Sequence, residues 1–342
     1  MQQRRVDPND ASAFAAWFDV YHRSEALRDP PERPSWLPEE IRARAQDDGG
    51  ADVTHLLSFV DETDTVLSVA RVDVTRDNAT WLRAEVHVDP PHRRRGVGSA
   101  HLALVEEYVR DHGRPEIAVT VMEGEHDLHA GAHRSFAPRH GYVLADEAAR
   151  RDLLWPRPPG ERDALKESWS AFAEGYDIVS WNGRTPDRWV DDRVYLAEVM
   201  PLEAPFGDLS PSHESWDLDR LRRLEDRVDA MGRDYLVAVA RHRASNHLVG
   251  FSELTVSRET PQIAYQWDTL VLTAHRGHRL GGLMKLATMD LLETTALQVR
   301  EISTFNSVAN VPMIRVNKQL GARLTGAHVT WRKSLDGPTR SA

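Results

Sequence analysis

Two stretches of the sequence place a carboxylate, a short β-branched run, an arginine- and glycine-bearing loop and an amphipathic helix pattern in the same order. The first is AEVHVDPPHRRRGVGSAHLALVEEYVRDHG, residues 84–113, and the second is WDTLVLTAHRGHRLGGLMKLATMDLLETTA, residues 267–296. Each opens on an acidic residue, Glu85 or Asp268, followed by Val86 and Val88 or by Thr269 and Val271. A glycine-bearing loop that leads into a helix presents backbone N–H groups and the positive end of the helix dipole. That is an anion site, and pyrophosphate is its natural occupant. Gly96 and Gly98 let the backbone come close to phosphates, and Arg93, Arg94 and Arg95 add cationic donors. One copy alone reads equally well as a surface β–α turn with a solvated arginine run. A Walker loop needs a lysine after its glycines, and none follows here; a dinucleotide fingerprint needs a third glycine near the start of its domain.

The elements that must position these residues repeat as well. Arg93 and Arg276 are 183 residues apart, and the glycines of HGY and LGA, Gly141 and Gly321, are 180 apart. Two landmarks with nearly one offset indicate a tandem duplication of an α/β unit. WPRPPGERD, residues 155–163, combines three prolines with a glycine and reads as a linker. The expected domains are therefore 1–157 and 158–336. In the first, residues 8–27 carry an aspartate cap and apolar positions at helical spacing, and residues 55–74 hold a strand pair. In the second, 176–181 reads as a strand, a helix pattern runs up to Gly232, and strands follow at 235–240 and 248–256. Strand, helix, hairpin, then strand–loop–helix is a mixed α/β order around a central sheet.

Composition sets the outer bounds. The chain has 342 residues, too many for one ordinary core and enough for two domains. It is 41% hydrophobic and 28% charged, as expected of folded domains. It has no cysteine, so disulfides, thiolate metal sites and a cysteine nucleophile drop out, and a cytoplasmic protein fits. No apolar run reaches a membrane span, and MQQRRVDPND lacks the apolar core of a secretory signal. The net charge of −10 argues against a nucleic-acid partner, although a local arginine cluster can still hold phosphate. His126, His129 and His133 lie close to Glu125 and Asp127, but the segment is interrupted by glycines and no metal site is expected.

Arg93-x-x-Gly96-x-Gly98 resembles the Q/R-x-x-G-x-G/A signature of the GNAT superfamily of acyl-CoA-dependent acetyltransferases, and its place after VHVDPPHR matches too. The resemblance spans both copies, so the chain looks like a tandem GNAT protein, distantly similar to the kind that includes mycothiol synthase. It implies two GNAT-like domains, each with a mostly antiparallel sheet, a splayed strand and flanking helices. It also implies acetyl-CoA as cofactor. Carried over by position, the pantetheine arm would lie along Val86, His87 and Val88. Pyrophosphate would lie on Arg93, Arg94, Arg95, Gly96, Val97, Gly98 and Ser99. In the second copy the matching residues are Leu270, Val271 and Leu272, then Arg276, Gly277, His278, Arg279, Leu280, Gly281 and Gly282. Arg279 stands where the first glycine belongs, and its side chain would either clash with phosphates or contact them. Asn306, Asn310 and Asn317 resemble the asparagine-bearing segment that faces the cofactor arm, and read equally as turn or cap residues.

Acetyl transfer to an amine needs a base for the amine, polarisation of the thioester carbonyl and an acid for the thiolate. Glu85 and Asp268 occupy equivalent places and are the candidate bases; either also reads as a carboxylate on the solvent side of its strand. Many members of the family use a tyrosine as the acid, four residues before the glycine of the last helix. Those places hold Ala137 and Asn317 here, leaving His87, Tyr142 and Tyr265 as substitutes. The function implied is direct acetylation of a small-molecule amine by a monomer or homodimer. The alternatives are a protein or peptide N-acetyltransferase and a non-catalytic acetyl-CoA-binding sensor or scaffold.

Overall fold

Runs such as HLLSFV and VLSVARV alternate residues between two faces, and both faces are covered by helices. The computed structural model describes residues 1–26, 36–46, 52–75, 77–125, 128–203 and 214–335, with only the backbone at Asp52 and Pro159. The chain divides into two units, 1–147 with 326–342, and 148–325.

The first unit contains β1 (Gln2–Val6), α1 (Ala11–Glu25), α2 (Pro38–Gln46), β2 (Asp52–Val60), β3 (Val66–Thr75), β4 (Trp81–Val88), α3 (Val97–Asp111), β5 (Glu116–Gly124) and α4 (His133–Arg139). Asp10 caps α1 by accepting from the backbone of Ser12 and Ala13, both at 3.0 Å. Strands β1 to β4 are antiparallel neighbours, whereas β4 and β5 run parallel. On one face Phe14, Trp17 and Tyr21 of α1 and Ile41 of α2 pack on Leu56 and Val69. On the other, Leu102, Val105 and Val109 of α3 pack on Leu57, Ala70 and Ile117. The helix pattern read over Leu102, Val105 and Val109 is thus the buried face of α3, and it ends at Gly113 with φ +69°.

The second unit repeats the plan with β6 (Val143–Leu154), α5 (Pro159–Ser170), β7 (Tyr176–Asn182), α6 (Val190–Glu203), α7 (Leu218–Ala230), β8 (Arg233–His242), β9 (Leu248–Ser257), β10 (Ile263–Val271), α8 (Leu280–Thr295), β11 (Glu301–Ser307) and α9 (Val311–Gln319). Its β7 to β10 are successive antiparallel neighbours and β10 and β11 are parallel, as in the first unit. The last strand is β12 (Arg323–Ser334). The glycine landmarks coincide in backbone as well as sequence: Gly141 and Gly321 end α4 and α9 with φ of +80° and +88°. In both helices the residue after the glycine donates to the carbonyl five positions back, Tyr142 to Ala137 and Ala322 to Asn317.

The boundary expected at 157/158 is displaced. From Ala148 the strand β6 pairs antiparallel with β11, and from Gly326 the strand β12 pairs antiparallel with β5. Each unit is therefore completed by a strand from beyond its own repeat. The proline-rich segment is not a free linker: the Trp155 amide donates to the Arg300 carbonyl at 2.8 Å, and Trp155 lies in the second core. Pro159 occupies the first position of α5, where a missing N–H costs nothing.

Packing on α8 is tight enough to test. A Cβ on Gly282 would stand 2.5 Å from the ring of Trp169, which is buried, whereas one on Gly281 would meet only ordinary contacts at 3.7–3.8 Å. Gly282→Ala is expected to destabilise the protein by about 1–3 kcal/mol through overpacking. Gly281→Ala should leave the thermal midpoint near that of the wild type. Equal midpoints for the two variants in a thermal melt would contradict this packing.

Candidate functional site

Each arginine–glycine loop closes with the same backbone. Short 3-10 turns at Pro90–His92 and Thr273–His275 precede Arg93 and Arg276. Positive φ recurs at Arg94 (+59°) and Gly277 (+91°), and again at Gly96 (+83°) and Arg279 (+59°). Arg279 thus adopts, at some conformational cost, the left-handed geometry that the first copy gives to glycine. Its guanidinium rests over the Phe172 ring, 5.4 Å from the centroid. Arg93 and Arg276 turn back on their own strands. Their Nε atoms donate to the carbonyls of Val88 (3.1 Å) and Val271 (3.0 Å), and their outer nitrogens reach Ser24 Oγ (3.0 Å) and Glu203 Oε2 (2.7 Å). These guanidinia fasten strand end to loop. Arg94 and Arg95 stay exposed, and His278 Nδ1 lies 2.9 Å from the Phe172 carbonyl.

Among the described residues, the backbone N–H groups of residues 94–99 and 277–281 have no hydrogen-bond acceptor in the chain. They gather at the N-termini of α3 and α8, where Val97, Gly98 and Ser99 match Leu280, Gly281 and Gly282. Unpaired amides on a helix dipole fit a pyrophosphate in both units. Gly98 is the more confined of the matched glycines, since a Cβ there would lie 3.2 Å from Val88.

Beside each loop a pair of parallel strands splays. Strands β4 and β5 pair only from Trp81–Glu116 to Ala84–Val119, so Glu85 to Val88 leave β5. Strands β10 and β11 pair only from Ile263–Glu301 to Gln266–Thr304, so Trp267 to Val271, including Leu270, leave β11. Leu272 follows β10 directly, its amide donating to the Val249 carbonyl at 3.0 Å. The second unit adds a bulge: Trp267 and Asp268 together oppose the single residue Glu253 of β9.

The two equivalent carboxylates sit in opposite electrostatic settings. Arg71 donates to Glu85 at 2.9 Å, and His87 Nε2 lies 3.6 Å from it. Burial pushes the Glu85 carboxyl up, but Arg71 and His87 outweigh it and hold it well below the usual carboxylate range. His87 is itself buried, with Nδ1 3.3 Å from Glu25, so its side chain faces α1. Asp268 keeps an exposed surface, yet protein crowds around its carboxyl. Lost hydration, then the charge of Glu253, pushes its carboxyl up to about 7, against the pull of Arg193. Arg193 is committed to Glu253 at 2.5 Å, and the Tyr235 hydroxyl donates to the same carboxylate. Arg71 and Glu253 hold equivalent places: β3 and β9 are anchored alike by amides donating to Leu67 and Val249, 182 residues apart. One unit sets a cation beside the candidate base, the other an anion.

The asparagines are engaged within the chain. Asn310 caps α9 by accepting from the Met313 amide at 3.2 Å. Asn317 is buried; its Nδ2 donates to Asn306 and its Oδ1 accepts from Lys285 Nζ at 2.8 Å. Sequence reading missed Lys285, which is buried on α8, and burial lowers its ammonium to about 7. Its one available signal was a lysine at an inward position of an otherwise apolar helix face. Of the substitute acids, Tyr142 is bound to Glu106 at 3.0 Å and Tyr265 stacks under Arg233. His133 and Arg134 share Glu123, and among the described residues no cluster could hold a metal; His126 and Asp127 lie outside them.

Residues 17–142 match the model of the acetyltransferase (GNAT) family. The described fold resembles a tandem GNAT protein from the clavulanic acid biosynthesis pathway, solved without AcCoA, with a TM-score of 0.77 over 99% of both chains at 23% identity. The chain has the fold of a tandem GNAT protein, and its residues 17–142 match the GNAT family model. A GCN5-related N-acetyltransferase from Sphaerobacter thermophilus aligns over 99% of this chain and 96% of its own, at 16% identity and a TM-score of 0.67. A putative acetyltransferase from Pyrococcus horikoshii aligns over 97% and 89%, at 14% identity and 0.57. At these identities the likeness establishes fold alone, and no curated protein matches the sequence. No described helix of the protein is long and apolar enough to cross a membrane.

Proposed function

We propose that this tandem GNAT protein is an acetyl-CoA-dependent N-acetyltransferase whose chemistry runs in the second unit, on a small-molecule amine. The observation that carries the reading is the contrast between the two carboxylates. A general base works best with a pKa near the operating pH. Asp268 meets that condition, whereas Glu85 is held ionised by Arg71 and is a poor proton acceptor near neutrality.

Acetyl-CoA, when bound, supplies the acyl group as a thioester. The amides of residues 277–281 would hold its pyrophosphate, and the free edge of β10 from Trp267 to Val271 would pair with its pantetheine arm. Asp268 takes the proton of the amine as that amine attacks. With no cysteine in the chain, direct transfer is the route available. A second reading applies to the first unit alone. Its loop has the same unpaired amides but its carboxylate is ion-paired, which favours cofactor binding without turnover there.

The test is release of free thiol from acetyl-CoA with a panel of small amines, and separately with peptides bearing free N-termini or lysines. Thiol release with a small amine supports the reading. Tight acetyl-CoA binding with no release for any amine supports the sensor instead, and release with peptides alone moves the acceptor to proteins.

A further inference from the structure

We infer that Lys285, held in place by Asn317, is the proton donor to the leaving thiolate in the second unit; this rests on the function proposed above. Lys285 is a fully buried lysine with, among the described residues, no carboxylate in ion-pair range. Its only hydrogen-bond acceptor among them is Asn317 Oδ1 at 2.8 Å. A buried ammonium without a counter-charge is unfavourable, and an apolar side chain of similar volume ordinarily serves stability better.

The duplicated unit shows that alternative. Offsets of 183 and 180 residues match Lys285 to Leu102 and Asn317 to Ala137, and both of those lie in an ordinary apolar core cluster. Packing between these helices therefore does not require the polar pair.

Its location gives the pair a use. A Cβ on Gly281 would contact Met313 of α9 together with Thr269 and Val271 of β10. Lys285 and Asn317 lie one turn further along the same two helices, on the same facing sides. Asn317 also donates to Asn306 of β11. Asn306 stands two residues past the last parallel rung, Gln266–Thr304, and Asp268 stands two residues past it on β10. The Lys285–Asn317–Asn306 chain thus lines one side of the splay and Asp268 heads the other. Of the titratable groups around this opening, β10 contributes Asp268, on which Glu214 also acts, β9 contributes Glu253 with its partners Arg193 of α6 and Tyr235 of β8, and α8 contributes Lys285.

The step balances. The amine nitrogen forms a bond to the acyl carbon, and the carbon–sulfur bond breaks with its electron pair going to sulfur. Lys285 Nζ gives a proton to that sulfur, and Asp268 takes the proton leaving the amine. Exchange with solvent returns both residues to their starting charge.

The experiment titrates the thiol of bound CoA by its ultraviolet thiolate absorbance, in the wild type and in Lys285→Met, together with steady-state rates. The ammonium stabilises thiolate, so Lys285→Met is expected to raise one bound-thiol titration by about one pH unit and to lower kcat about 10²-fold. CoA affinity should stay within about 3-fold. Bound CoA with an unchanged thiol titration in Lys285→Met overturns the role of Lys285 and leaves the proposed function standing. If Gly281→Asp leaves the number of bound CoA molecules and their affinity unchanged, the second unit is not the cofactor site, and the function and this inference fall together.

Discussion

Asp268→Asn is expected to lower kcat by about 10²–10⁴-fold, the usual contribution of a positioned general base. Glu85→Gln should change kcat by less than about 3-fold. Its cost should appear as stability, roughly 1–3 kcal/mol, because Arg71 loses a charged partner. The pH profile separates chemistry from damage. With the Asp268 carboxyl at about 7, kcat/KM of the wild type should fall tenfold per unit as pH drops below 7, and it should fall again above 7 as the Lys285 ammonium, also at about 7, loses its proton. That acidic limb should disappear in Asp268→Asn and persist in Glu85→Gln. Stability carries the same signature. A carboxyl raised in the folded state contributes stability below its unfolded value of 3.8, and that contribution is lost as pH rises through about 7. Asp268→Asn should therefore gain on the wild type between those values. Near-wild-type rates across pH in Asp268→Asn would remove it as the base, whatever its ionisation.

Why sequence could make Glu85 and Asp268 equivalent but not tell them apart is a matter of range. The strand–loop–helix order, the glycine landmarks and the offset of 183 are local patterns, and each returns in the backbone: paired 3-10 turns, paired positive φ values and paired helix ends. The setting of each carboxylate is not local. It depends on Arg71 or Glu253 arriving from a neighbouring strand, and on a bulge at Trp267 and Asp268 that the first unit lacks. Aligning the two hairpins as well as the two loops would have exposed the charge reversal, since Arg71 and Glu253 are matched by an offset of 182. The strand exchange had no local signal at all. Pairing of β6 with β11 and of β12 with β5 joins segments well over a hundred residues apart, while the prolines at 156, 158 and 159 marked a boundary on composition. Asn310 and Asn317 show the limit of motif transfer. Both keep their places, but one caps a helix and the other is satisfied by Lys285 and Asn306.

Gly281→Asp and Ser99→Asp should each reduce acetyl-CoA affinity at their own loop by about 1–3 kcal/mol, roughly 5- to 150-fold, through repulsion and unmatched desolvation. The two positions are chosen so that folding does not confuse the result. Both lie in the first turn of a long helix, Gly281 in α8 and Ser99 in α3, where a carboxylate interacts favourably with the helix dipole and stabilises the fold by about 0.3–1 kcal/mol. A side chain at Gly281 meets no contact closer than 3.7 Å, and Ser99 already carries one, with its hydroxyl 3.0 Å from His140 Nε2. The same charge that helps the helix occupies the place an incoming phosphate would take. Fold stability and cofactor affinity should therefore move in opposite directions, which overpacking or misfolding cannot produce. Calorimetric titration of each variant assigns the sites: weakening in one leaves the other unit's site intact, and the double variant should be weakened at both. An affinity unchanged by Gly281→Asp, in a protein whose thermal midpoint has not fallen, would withdraw the second loop as a pyrophosphate cradle. In that case Arg279, seated over Phe172 in a left-handed conformation, would be the side chain that closed it.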